Sequence, residues 1–289
     1  MFGIIDAIED WLRELLINMI TGNLTTLFDD VNTKVGTIAT EVGRTPQSWN
    51  SSIYNMVRNL SENVIVPIAG LNITFVLCYE LITVITEKNN MHDIDTFIFF
   101  KYVFKACVAV YLLSNTFDIT MAVFDVAQSV VNSAGGIISG NTSIDITSTI
   151  ATMQTEMEAM ELGGLVQLAL ETMIISLCLK IMSILITVIL YGRMIEIYLT
   201  VSVAPIPFAT MTNREWGSIG TNYFKSLFAL GFQGFFMMVC VAIYAVLVNN
   251  MIVATDIHAA LFSIAAYTVI LCFSLLKTGS LSKAIFGAH

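Results

Sequence analysis

Five stretches of the chain stay apolar long enough to cross a bilayer core as helices, which takes about 20 residues. They are 64–86, 97–117, 165–191, 227–248 and 257–276. The run 227–248 has no charge, and only Gln233 is strongly polar in it. A shorter run, 194–211 (MIEIYLTVSVAPIPFATM), is broken by Pro205 and Pro207. Proline lacks the backbone donor and clashes with the preceding turn, so this segment reads as a re-entrant or interfacial element. The alternative is a sixth span, which would reverse half of the topology.

Outside the spans the pattern becomes amphipathic. Ile4, Ile5, Ile8, Trp11, Leu12, Leu15, Leu16 and Met19 recur at helical spacing, with Asp6, Asp10, Arg13 and Glu14 on most of the other face. This predicts an amphipathic helix over 2–19 that lies in the membrane interface or packs on a partner helix. Val31, Val35, Ile38 and Val42 continue a second helical pattern. Thr45 and Pro46 form a helix start, with Thr as N-cap and Pro in the first turn. Trp49, Ile53, Met56 and Leu60 line one face of that helix, and Pro67 is expected to kink the start of the first span. The connection 118–164 carries Asp125, Gln128 and Asn132 on one helical face, and Met153, Met157 and Met160 on another. Between them SGNTSIDITST reads as an exposed loop.

Composition fixes the class. Of 289 residues, 56% are hydrophobic and 12% charged, more apolar surface than a soluble fold of this length could hide. The net charge of −9 makes the surface as a whole a poor partner for nucleic acid. Cys78, Cys107, Cys178, Cys240 and Cys272 are scattered through apolar runs, with no CxxC pair, which argues against a disulfide framework or a zinc site. FGIIDAIEDWLRELL at the start has no basic n-region, so it does not read as a conventional signal peptide.

The basic residues set an orientation. Lys88, Lys101 and Lys105 gather at the first connection, Arg193, Arg214 and Lys225 around the proline-broken run, and Lys277 and Lys283 in the tail. Residues 106–179 have no Lys or Arg but seven acids. By the positive-inside rule the N-terminus is outside and the C-terminus cytoplasmic. The expected organisation is an extracytoplasmic amphipathic region 1–63, a transmembrane hairpin 64–117 and a long acidic extracytoplasmic loop 118–164. A transmembrane core 165–276 containing the re-entrant 194–211 and a basic cytoplasmic tail 277–289 follow. The fold class is all-α and polytopic, with about five transmembrane helices.

Candidate chemistry is confined to polar groups within the spans. Lys180 lies near the middle of 165–191, and Ser176, Ser183 and Thr187 share its helical face. This polar stripe lines an aqueous path, or it holds two helices together, for instance through Glu80. Glu171 falls on the opposite face from Lys180. Lys101 and Lys105 are one turn apart, placed to snorkel to the inner surface, and Glu80 is within reach of one of them. Gly231, Gly234, Ala242 and Ala245 form a small-residue stripe on the fourth span, with Ala259, Ser263 and Ala266 at similar spacing on the fifth, suited to close helix packing. No nucleotide, dinucleotide or metalloprotease motif occurs, and His92, His258 and His289 are isolated in sequence. No enzyme activity, cofactor or metal is expected.

The amphipathic start, the five spans, the long outer loop, the SVAPIPFATM run, the GFQGFF span and the short basic tail together resemble the TrbL-like conjugal transfer family. That family is the polytopic inner-membrane component of type IV secretion machines, here in the form carried by conjugative elements of Gram-positive bacteria. Ala204, Pro205 and Pro207 occupy the place of the family's proline-containing inner segment, whereas the long cytoplasmic extension of some relatives is missing. The resemblance implies a channel or scaffold subunit in the cytoplasmic membrane. It implies partners among the other secretion subunits, including the ATPases, and a homo-oligomeric ring such as a pentamer. It also implies a transient substrate, single-stranded DNA with its attached relaxase. The residues alone leave open a self-contained transporter or ion channel for a small solute.

Overall fold

The computed structural model describes residues 2–87, 96–138, 146–211, 213, 216–251 and 256–288. Lys88, His92, Asp145, Arg214, His289 and most of the SGNTSIDITST loop lie outside the described residues, as do the side chains of Ile4 and Ile5. Every described element is helical. In chain order they are α1 (Phe2–Val42), α2 (Pro46–Trp49), α3 (Ser51–Leu60), α4 (Val66–Glu87), α5 (Thr96–Ser114) and α6 (Thr116–Ile138). Then come α7 (Ile146–Glu158), α8 (Leu162–Ser202), α9 (Pro205–Thr210), α10 (Gly217–Met251) and α11 (Ile257–Phe286). Four helical stretches are long and apolar enough to cross a membrane: Ser51–Thr86, Leu162–Ser202, Gly217–Asn250 and Ile257–Phe286. A fifth arises if α5 and α6, bent by 68° at one residue, count as one broken span.

The helices outrun the apolar runs that announce them. α8 has 41 residues, a length of about 60 Å and twice the hydrocarbon thickness. Residues 194–202 therefore continue α8 and are not part of a separate segment 194–211. The break comes where proline chemistry acts. Pro205 has no N–H for the Val201 carbonyl, so α8 closes at Ser202 and Pro205 opens α9 in its first turn. Likewise α6 carries the helix past the end of the second expected span. The bend at Asn115 coincides with side chains that compete for backbone carbonyls. Asn115 Nδ2 donates to Tyr111 O at 2.8 Å, and the Thr116 hydroxyl donates to the Leu112 and Leu113 carbonyls. Just before Pro67, which lies in the first turn of α4, the chain passes through a π-helical turn, Ser61–Ile65, that joins α3 to α4.

The chain forms two compact units. The first comprises Met1–Val42, Asn132–Leu190 and Phe236–Thr278. Here α1 is one continuous helix, and Leu16, Ile20, Leu24, Leu27, Val31, Lys34 and Ile38 form its buried stripe. The expected stripes differ from it: Ile8, Trp11, Leu15 and Met19 of the first are exposed, and in the second Lys34, not Val35, is buried. Arg13 Nη1 donates to the Glu158 and Met160 carbonyls at the end of α7, Asn23 Nδ2 lies 3.4 Å from Thr172 Oγ1, and Lys34 Nζ donates to Leu179 O at 3.0 Å. Contacts advance along both helices together, so α1 and the first part of α8 run parallel. Elsewhere in this unit the Tyr244 and Thr268 hydroxyls join α10 to α11 at 2.9 Å.

The second unit comprises Gly43–Val131, Tyr191–Phe235 and Gly279–His289. Thr45 caps α2, its hydroxyl accepting the Ser48 N–H, and Asn50 caps α3 by accepting the Ile53 N–H. Tyr54, Val57, Phe117, Phe124, Ile197, Tyr198, Val201 and Leu227 build one core, and the Tyr198 hydroxyl donates to the Pro46 carbonyl at 2.6 Å. In a second core, Ile206 and Ala209 of α9 pack with Ala69 and Ile73 of α4 and Ala109 and Leu113 of α5. At the tail, Gly287 takes a left-handed φ of 59° and the Ala288 N–H bonds the Lys283 carbonyl, ending α11.

Candidate functional site: polar groups on the apolar helices

In the first unit the polar stripe of α8 meets α1. Ser183 and Thr187, with Ile186 and Leu190, face Asp30, Thr33, Lys34, Thr37 and Ile38 across a cleft of about 90 Å³. Ser176 is half-buried, and its hydroxyl has no hydrogen-bond partner among the described residues. Lys180 is exposed. Thus the stripe divides: Ser183 and Thr187 serve the seat of α1, and Lys180 points elsewhere. The Lys34 ammonium sits at this seat near the Asp30 carboxylate. Its stem packs in the buried stripe, and its head bonds a helix carbonyl. Burial pushes it below the ordinary lysine pKa, an effect that Asp30 partly offsets.

That direction has a consequence for stability. The unfolded chain holds this proton to higher pH than the folded chain, so stability rises with pH through the window just below the ordinary lysine value. Lys34→Met keeps the stem and removes the titration. We expect it to flatten the alkaline slope of the thermal midpoint in detergent and to leave neutral-pH stability within about 1 kcal/mol. A slope unchanged by Lys34→Met would show that other groups carry it.

Glu171 and His258 form a pair that the spacing in sequence conceals, since they lie 87 positions apart. Glu171 of α8 accepts from Gln167 at 2.8 Å and bonds His258 Nδ1 at the start of α11, while Asp256 accepts the His258 N–H. His258 is therefore not isolated.

In the second unit Lys105 Nζ meets Glu80 Oε1 at 2.7 Å, joining α5 to α4. Tyr102, one turn earlier, donates to the Leu77 carbonyl at 2.9 Å. Lys101 is exposed. Arg193 is buried on α8. Its Nη2 reaches the Gly231 carbonyl at 3.4 Å, and its Nε has no partner among the described residues. Lys283 pairs with Glu196 at 3.2 Å in an exposed position. Arg58 bridges Glu62 and Asp118. Among the described residues no three potential ligands gather for a metal ion.

The small residues of α10 have specific neighbours. A Cβ at Gly231 would come within 3.1 Å of the Ala127 Cβ on α6. Gly234 and Ala245 are buried, and Ala242 is half-buried. The tightest glycine is one that periodicity did not single out. A Cβ at Gly220 would lie 2.5 Å from the Pro207 carbonyl oxygen. Pro207 thus sits in a turn clamped against α10, and Pro205 is buried at the start of α9. Sequence reasoning missed Lys34, the Glu171–His258 pair and Gly220. Only Lys34 had a signal, a lysine at the right interval on an apolar stripe.

A family described as TrbL/VirB6 plasmid conjugal transfer like protein matches residues 31–205. No curated protein and no solved structure matches the chain. The matched stretch opens within α1, includes the Lys34 seat and the Lys105–Glu80 pair, and closes at Pro205; GFQGFF and the tail lie beyond it. With more than half of the sequence matched, and with four to five helices fit to cross a membrane, the chain belongs to the TrbL/VirB6 plasmid conjugal transfer-like family, the multi-pass membrane components of conjugal type IV secretion.

Proposed function

We propose that the chain is a channel or scaffold subunit of the conjugative transfer machine and helps pass single-stranded DNA with its relaxase across the cytoplasmic membrane. The family match over 31–205 carries this reading. It works as a homo-oligomeric ring with other secretion subunits and performs no chemistry of its own. The secretion ATPases supply the energy, in keeping with a sequence that has no nucleotide motif. Basic residues at 101–105, 193, 277 and 283, against none over 106–179, support an N-terminus outside and a C-terminus in the cytoplasm. The acidic stretch 118–164 is then a docking surface for neighbouring subunits, because it would repel DNA.

The test is mating frequency from a donor with an in-frame deletion of the gene, with and without a complementing copy. Transfer should be lost and then restored by complementation. Unchanged transfer removes the proposal. Purified chain in liposomes should move no small solute by itself.

A further inference from the structure

The first unit leaves two opposite charges unused at one level. Lys180 on α8 and Asp29 on α1 are both exposed, and neither makes an ion pair or side-chain hydrogen bond among the described residues. Their heights are close. Asn23 sits beside Thr172 and Lys34 beside the Leu179 carbonyl, so the parallel helices place Asp29 within about two turns of Lys180 along the axis. They nevertheless head different surfaces. Lys180 lies in a row of exposed apolar side chains, Met173, Leu177, Ile184 and Val188, each three or four residues from the next. Asp29 lies in a row of small groups on the outer side of α1, with Thr26 and Gly36, both exposed. A Cβ at Gly36 would meet nothing within 4 Å, so no packing inside the chain calls for a glycine there.

A lone ammonium amid lipid-facing side chains is costly. The cost is relieved by a carboxylate at the same depth on a neighbour. Cyclic assemblies in a membrane turn about the membrane normal and preserve depth, so a residue meets groups of its own level on the next copy. The bulky row around Lys180 and the shallow row around Asp29 also complement each other in shape. We propose that the Lys180 face of α8 in one copy seats on the Asp29 face of α1 in the next, repeated head to tail, with Asp29 and Lys180 as the joining pair. This rests on the homo-oligomer in the function proposed above and names its interface. The occupant is a second copy of this chain, not lipid and not an aqueous lumen.

The test uses the full chain in donor membranes, with its five cysteines replaced. One tagged copy carries Asp29→Cys, and a differently tagged copy carries Lys180→Cys. We expect a disulfide between the two tags, no such product when both copies carry Lys180→Cys, and no labelling of Lys180→Cys by a membrane-impermeant maleimide. Separately, Asp29→Lys or Lys180→Asp should lower the oligomeric fraction by about tenfold or more, and the combined exchange should restore it. An oligomer that forms without the cross-link, or a Lys180→Cys site that labels readily from water, overturns the interface while leaving the function standing. A chain that stays monomeric by subunit-counting photobleaching in membranes of a transferring donor overturns the oligomer and the interface together.

Discussion

Gly220→Val is expected to abolish the folded chain, and Gly220→Ala to destabilise it by about 3 kcal/mol. An added Cβ would meet the Met211 side chain at 2.1 Å and the Pro207 carbonyl oxygen at 2.5 Å. The methionine can swing aside, but the carbonyl cannot. It belongs to α9, whose Ile206 and Ala209 are locked between α4 and α5. Relieving the clash therefore moves a backbone that two other helices hold. Gly70→Ala in α4 is the control, because nothing lies within 4 Å of the added atom. There the lost backbone freedom of glycine should raise stability by about 0.5–1 kcal/mol. Thermal unfolding in detergent measures both, and mating frequency should fall to the deletion level for Gly220→Val only. A Gly220→Ala chain that melts like the parent would show that α9 and α10 are free to part.

Which features were legible in the sequence follows from the range of the forces involved. The apolar runs mark the helices because burial in lipid is a property of about 20 consecutive residues. Thr45 and Pro46 mark a helix start because capping acts over three residues, and the structure puts the cap there. Helix ends were less legible. Basic Arg193 suggested a boundary, yet it lies inside α8, since a polar side chain does not interrupt backbone hydrogen bonding and proline does. The Glu80–Lys105 pair was within reach because adjacent helices bring their ends together, whereas Glu171 finds His258 across 87 positions that no local pattern spans. Gly220 was illegible for a further reason. Its role depends on a carbonyl on another helix, and a single glycine carries no period.

Cutting the Glu80–Lys105 pair on one side should cost about 1 kcal/mol, and cutting it on both sides should cost almost nothing. The two atoms meet at 2.7 Å, and the side chains are 21% and 37% exposed, so the pair is only partly shielded. Lys105→Met strands a carboxylate on α4, and Glu80→Gln strands an ammonium on α5. The double substitution strands neither, and its methionine and glutamine fill similar volumes. A coupling of about 2 kcal/mol is expected from the four-cornered cycle of unfolding free energies. Lys101→Met, one turn away and exposed, should shift stability by less than about 0.5 kcal/mol. Transfer separates structure from substrate contact at this place. If Lys105 serves only to hold α5 on α4, mating falls in each single variant and returns in the double one. If Lys105 touches a passing polyanion, the double variant keeps its stability and still fails to transfer. The closeness of the pair, with Tyr102 tying the same two helices one turn earlier, argues for recovery: a lysine committed to a carboxylate at this distance has little charge left to offer DNA.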